Sequence, residues 1–156
     1  MPPILISALA ALWLIPAPLA AQDGDSGDVD MAEAEEMDAL TPIEATDITL
    51  DEFQWVARPV IVFADSPADP RFREQLELLA ERPEPLLERD VVIIVDTDPD
   101  ARSEIRTELR PRGFSLVVLQ KDGAMGFRRP SPRDVREIVR GIDNFSFRQE
   151  ELRSGG

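Results

Sequence analysis

Three continuous apolar runs constrain the fold more than any other feature of the chain. They cover residues 59–64, 90–95 and 114–119, and they are rich in β-branched side chains. Runs of this kind are typical of central strands that helices cover on both sides. Lys121-Asp122-Gly123 then predicts a tight turn into a fourth strand over residues 125–129. The first two strands are predicted to be parallel, since a helix connects them, and the last two to be antiparallel.

Three pairs of a polar residue followed by proline predict where helices begin. Such a pair supplies an N-cap and a first helical residue. The pairs are Asp69-Pro70, Asp98-Pro99 and Ser131-Pro132. Apolar residues at helical spacing follow each pair: Phe72, Leu76 and Leu79; Ala101, Ile105 and Leu109; Val135, Ile138, Val139 and Ile142. This order of elements predicts an α/β fold, a thioredoxin-like mixed sheet of about four strands with helices on both faces.

The 156 residues contain no cysteine, no histidine and no tyrosine. Thiol–disulfide exchange and cysteine-based peroxidase chemistry are therefore excluded, because both need a thiolate. Ser–His and Cys–His nucleophile pairs are excluded because the chain contains no histidine. Zinc sites built on His or Cys are excluded because both residue types are absent. We expect a scaffold that lacks redox cysteines and binds no metal and no cofactor, and this favours a binding function over catalysis.

The first 46 residues are predicted to lie outside the folded domain. Residues 4–15 are apolar and a Pro- and Ala-rich stretch follows them, which predicts a signal peptide over residues 1–21 and a periplasmic or secreted protein. Because no Lys or Arg precedes Arg58, an uncleaved anchor is the alternative. Residues 22–46 are predicted to be an acidic disordered linker. The domain then spans residues 47–152, and residues 153–156 form a flexible tail. Membrane contact is expected only transiently, through the signal segment.

The net charge of −14 is unevenly distributed along the chain. Residues 22–52 contain 12 acidic and no basic residues, whereas residues 101–156 contain 8 acidic and 12 basic ones. So acidic a chain is not expected to bind nucleic acid. The basic third predicts a binding surface formed by Arg128, Arg129, Arg133, Arg136, Arg140 and Arg148. Its partner would be an anionic ligand or an unknown protein of the cell envelope. The alternative is an ordinary solvated helix face.

A second candidate site follows the first two strands. It contains Asp65, Ser66, Asp69 and Asp96. Open α/β sheets bind ligands beyond the carboxyl ends of their strands. A carboxylate-based enzyme that uses Asp65, Asp69 and Asp96 is therefore an alternative function, since a carboxylate pair performs acid–base chemistry when one pKa is raised.

Several short motifs together resemble one protein family. They are Arg58-Pro59, Glu88-Arg89-Asp90, Lys121-Asp122-Gly123, Arg128, Ile142-Asp143, Arg148 and Glu151. Over residues 48–152 the pattern resembles the DUF4174 family, a domain of unknown function. The resemblance implies a thioredoxin-like fold in small exported bacterial proteins or at the ends of secreted animal matrix proteins with sushi repeats, and no established activity. A structural envelope or matrix-type protein is thus a third alternative. Phe145-Ser146-Phe147 stands where the family favours Met-Pro-Met, and Gly126 where Lys is common.

Overall fold

A computed structural model of the chain describes residues 40–155. The strands are β1 Ile43–Glu44, β2 Arg58–Phe63, β3 Val91–Asp96, β4 Ser115–Leu119 and β5 Met125–Arg129. The helices are α1 Pro70–Ala80, α2 Glu84–Leu87, α3 Glu104–Leu109, α4 Val135–Asp143 and α5 Ser146–Ser154. The predicted signal peptide and most of the predicted linker lie outside the described residues. Within the described range, no helix is long and apolar enough to cross a membrane.

The five strands form one mixed sheet in the order β1-β3-β2-β4-β5. β2 pairs in parallel with β3 and antiparallel with β4, and β5 pairs antiparallel with β4. The predicted strand directions are therefore confirmed, with one short parallel strand added beside β3. The carboxyl end of β2 and the amino end of β4 meet at one edge of the sheet, where Phe63 pairs with Ser115. The amino end of β2 lies at the opposite edge, together with the turn between β4 and β5.

Alternation along the buried strands sends side chains to two separate cores. On one face, Val60 and Val62 pack with α1, α2 and α4. On the other face, Ile61 and Phe63 pack with Ile105 of α3 and with the segment that precedes β2. All four of these β2 residues are fully buried, which explains why this part of the strand is apolar at every position rather than at alternate ones. Helices on both faces confirm the predicted layer arrangement.

Two helix starts differ from the prediction. The predicted helix after Asp98 is only a 3-10 turn over Pro99–Ala101, and the chain turns at Arg102, whose φ is +49°. Ser103 then caps the separate helix α3 through its hydroxyl. In the other case Asp134, not Ser131, caps α4 by accepting a hydrogen bond from the Glu137 backbone N–H. A cap-plus-Pro pair thus marks a turn in both cases, but a second cap decides where the helix starts.

Both ends of the domain extend beyond the predicted boundaries. β1 lies within the last residues of the predicted linker, and Ala45 is buried against the sheet, so the predicted boundary at residue 46 is too late. At the other end, α5 continues through Ser154, so the predicted flexible tail begins inside a helix. The sequence did not reveal α5 because its one large apolar residue with a described side chain, Leu152, is exposed.

Candidate functional site

A cleft of about 370 Å³ opens at the edge of the sheet where β2 ends and β4 begins. It is lined by Arg110, Arg112, Phe114, Ser115, Arg128 and Pro130. The lining surface is mostly apolar, because Pro130 and the aliphatic stems of the arginines contribute to it, whereas Phe114 is only 2% exposed. The cleft therefore combines an apolar wall with three guanidinium groups.

Arg128 is the half-buried member of the three cleft arginines, and Arg110 and Arg112 are exposed. Within residues 40–155, none of the three forms a salt bridge with a carboxylate. Arg128 is half-buried, and its Nη2 donates to the carbonyl of Leu109 at the end of α3. Its Nε is buried without a hydrogen-bond partner among the described residues. A buried donor that lacks an acceptor is destabilising.

The backbone that carries Arg110 and Arg112 has an unusual conformation. Arg110 ends α3 with φ +47°, in the left-handed region that favours glycine, and Gly113 follows with φ +58°. For a residue with a long side chain this conformation costs about 1 kcal/mol or more. Because both turns occur within four residues, the loop returns directly to β4, and both arginines line the cleft.

The predicted arginine surface is dispersed in the structure, and only Arg128 lines the cleft. Arg129 lies over the ring of Phe127, 4.9 Å from its centroid. Arg133 contacts Glu137 at 3.4 Å. Arg136 and Arg140 are exposed on α4. Arg148 lies at the opposite edge of the sheet, paired with Glu151.

The predicted carboxylate site does not assemble into an acid–base pair. Asp69 caps α1 and binds Arg71, and this hydrogen bond lowers the pKa of the Asp69 carboxyl. Asp96 is buried, accepts a hydrogen bond from the Ser103 hydroxyl and binds the guanidinium of Arg106.

Asp65 is exposed, and its carboxylate is 3.7 Å from Arg106, which also holds Asp96. Ser66 lies in an exposed turn in which its hydroxyl accepts from the Ala68 N–H. Arg106 thus lies between the two carboxylates that are closest to forming a pair and binds both of them.

A network of ion pairs occupies the opposite edge of the sheet. Seven charged residues of the motifs that carry the family resemblance meet there, although they are far apart in sequence. They are Arg58, Arg89, Asp90, Lys121, Asp143, Arg148 and Glu151. The Arg58 side chain is only 1% exposed, and its guanidinium binds Glu151 and the carbonyl of Arg89. Every charged group of this network has an oppositely charged neighbour among the described residues, so the network explains how α5 is held.

The two departures from the family pattern are related in space. Gly126 occupies an irregularity in the pairing of β4 with β5, where Val118 pairs with Phe127 and Leu119 with Met125. A Cβ atom on Gly126 would lie 2.1 Å from the Phe145 ring. The aromatic residue and the glycine therefore require each other, because the ring fills the space that any side chain at position 126 would take.

Sequence reasoning missed Arg110 and Arg112, the two cleft arginines that lie in the loop before β4. The available signal was the segment Arg110-Pro111-Arg112-Gly113 immediately before an apolar strand. That strand begins beside the end of the first buried strand, where sheets of this type bind ligands. A basic loop at that position is therefore a stronger indication of an anion site than arginines spaced along a helix.

Comparison with known proteins identifies the family and the fold. The family model for a domain of unknown function, DUF4174, matches residues 49–151. No curated protein matches the chain. A crystal structure of the reduced 2-Cys peroxiredoxin of Plasmodium vivax is similar in fold, with a TM-score of 0.52 and 14% identity over 66% of this chain and 85% of that chain. This likeness concerns the fold alone, which is thioredoxin-like without any cysteine. The chain belongs to the DUF4174 family of domains of unknown function.

Proposed function

We propose that the protein is an exported, non-redox binding module that holds an anionic ligand in the cleft formed by Arg110, Arg112 and Arg128. The observation that carries the proposal is that three arginines without a carboxylate partner among residues 40–155 line one cleft. Guanidinium groups bind carboxylates and phosphates through paired N–H donors, which gives both affinity and orientation.

The contrast with the other edge of the sheet supports this function. There, arginines such as Arg58 and Arg89 are paired with carboxylates of the same domain. A half-buried charge such as that of Arg128 is destabilising when it lacks a carboxylate partner. In the cleft that partner is missing from the described residues, so the proposed anion takes its place. Export is supported by the signal-like pattern of residues 1–21.

The two alternative functions have less support. The carboxylate-based enzyme requires a pair of acids with separated pKa values, whereas Asp96 is bound by Arg106 and Asp69 by Arg71. A structural envelope protein requires no cleft with unpaired cations. Neither alternative explains the arrangement of the loop before β4.

Calorimetric titration of the full chain with small anions at low ionic strength tests the proposal. We expect the double variant Arg112→Gln/Arg128→Gln to lose anion binding. The matched control Arg136→Gln/Arg140→Gln, which removes two exposed charges from α4, should bind like the wild type. Equal losses in both double variants would mean that net charge rather than the cleft determines binding, and the proposal would be wrong.

A further inference from the structure

We infer that the ligand of the cleft is a small soluble phosphate monoester whose phosphate carries an apolar or aromatic group. This inference rests on the proposed function and specifies the class of anion. It combines three properties of the cleft: its surplus of positive charge, its mostly apolar lining and its location on an acidic domain.

The charge of the cleft favours a dianion. Arg110, Arg112 and Arg128 together bring three positive charges, and none has a carboxylate partner among residues 40–155. A monocarboxylate has one negative charge and two acceptor oxygens, whereas a phosphate monoester has nearly two charges at neutral pH and three strong acceptor oxygens. The phosphate monoester therefore neutralises more of the cleft and offers enough oxygens for three guanidinium groups.

The donors already present in the cleft match such a group. Arg128 lines the cleft and is fixed there by its hydrogen bond to the Leu109 carbonyl. A guanidinium donates through two parallel N–H groups to two oxygens of one phosphate. Ser115, at the start of β4, also lines the cleft and contributes a hydroxyl group.

The remaining volume and lining favour an apolar group next to the phosphate. The cleft measures about 370 Å³, and Pro130 and the aliphatic stems of the arginines line it, whereas one phosphate group occupies only a small part of such a volume. Pockets that bind small molecules typically combine a mostly apolar wall with a few convergent polar groups. A ring or short aliphatic chain on the phosphate would cover the apolar wall and exclude water from the guanidinium groups, which strengthens their interaction with the anion.

The charge of the domain favours a soluble ester over a phosphate carried by a lipid. Residues 40–155 contain 23 acidic and 17 basic residues. An anionic bilayer surface repels a domain of net negative charge and attracts basic segments. A small ester that diffuses into the cleft does not require the whole domain to approach such a surface.

Competition among three probes tests the inference on the full chain. Phenyl phosphate should bind with a Kd of about 1 mM or tighter. Inorganic phosphate, which lacks the apolar group, and benzoate, which has one charge, should each bind about tenfold more weakly. The variants Arg112→Gln and Arg128→Gln should each weaken phenyl phosphate binding about tenfold or more, because each removes a charge-assisted hydrogen-bonding group. Among residues 40–155 the Arg112 side chain forms no hydrogen bond or ion pair, so its variant remains informative if Arg128→Gln lowers stability.

The outcomes separate this inference from the proposed function. Inorganic phosphate or benzoate binding as tightly as phenyl phosphate would overturn the inferred ligand class and leave the anion site intact. Co-flotation of the protein with vesicles that contain phosphatidic acid would overturn the soluble ester. If none of the three probes binds at millimolar concentration, the proposed function fails together with the inference.

Discussion

Replacing Glu151 with glutamine removes the carboxylate that faces the buried guanidinium of Arg58. The Arg58 side chain is 1% exposed, and its Nη2 lies 2.5 Å from the Glu151 carboxylate. Arg148 and Lys121 contact the same carboxylate at 3.2 and 3.6 Å. Glutamine has almost the same shape but no charge, so the variant keeps the packing of α5 and removes mainly the electrostatic contribution. The exchange therefore measures how strongly the ion-pair network stabilises the domain.

The magnitude follows from the burial of the two partners. Removing one partner of a buried ion pair costs about 3–5 kcal/mol. Glu151 is a quarter exposed, and Arg58 keeps its hydrogen bond to the Arg89 carbonyl, so water and the remaining acceptor offset part of that cost. We therefore expect Glu151→Gln to lower the free energy of unfolding by about 2–3 kcal/mol, a large part of the stability of a small domain.

Urea denaturation followed by circular dichroism measures this effect. With a slope of about 1–3 kcal/mol per molar urea, the unfolding midpoint should fall by about 1 M. Glu150→Gln is the matched control, since Glu150 is the neighbouring residue on the same helix and is exposed. Its midpoint should stay within about 0.3 M of the wild type. Equal midpoints for Glu151→Gln and Glu150→Gln would refute the claim that the network holds α5.

Three further predictions concern the turns and the network. Gly126→Ala should destabilise the domain by about 1–3 kcal/mol, because the added Cβ would overlap the Phe145 ring. Adding Phe145→Leu should recover part of the lost stability in the same urea assay, and no recovery would contradict the contact between positions 126 and 145. Arg110→Gly should raise the stability of the domain by up to about 1 kcal/mol, since glycine favours the left-handed conformation at this helix end, and calorimetry should show weaker anion binding. A loss of stability would contradict the claim that the left-handed conformation of Arg110 is strained. Arg89 binds Asp143 and lowers the pKa of the Asp143 carboxyl, so the stabilisation from this pair should be complete above about pH 5 and should be lost as the pH falls through the lowered pKa. The stability of Asp143→Asn should be less sensitive to acid over that window, and a pH profile of stability equal to that of the wild type would contradict the pairing.

Much of the fold follows from short-range sequence patterns. The β-branched runs locate β2, β3 and β4 because a strand that is buried on both faces must be apolar at every position. Asp69-Pro70 locates α1 because its side chain caps the first turn directly. The turn Lys121-Asp122-Gly123 determines the last hairpin, where Gly123 has φ +84°.

The sequence was less informative about the features that depend on contacts between distant residues, namely the docking of α5 and the position of the cleft. Among the side chains of α5 that the structure describes, Glu151 and Arg148 bind the rest of the domain through ion pairs, and charged residues of this kind also occur on any solvated helix. The anion cleft depends on the left-handed conformations of Arg110 and Gly113, and backbone conformation at an arginine is not apparent from its side chain. Periodicity along α4 indicated an arginine face instead, although of the predicted arginines only Arg128, which precedes that helix, lines the cleft.

Nuclear magnetic resonance of the arginine Nε–H groups tests the central claim most directly. Phenyl phosphate would be titrated into the 15N-labelled full chain at low ionic strength, with assignments from single Arg→Gln variants. The cleft predicts saturable shifts of the Arg112 and Arg128 Nε–H signals and of the Ser115 amide, with unchanged signals from Arg136 and Arg140. Saturable shifts confined to Arg136 and Arg140, or no shift at any arginine, would contradict an anion site in the cleft.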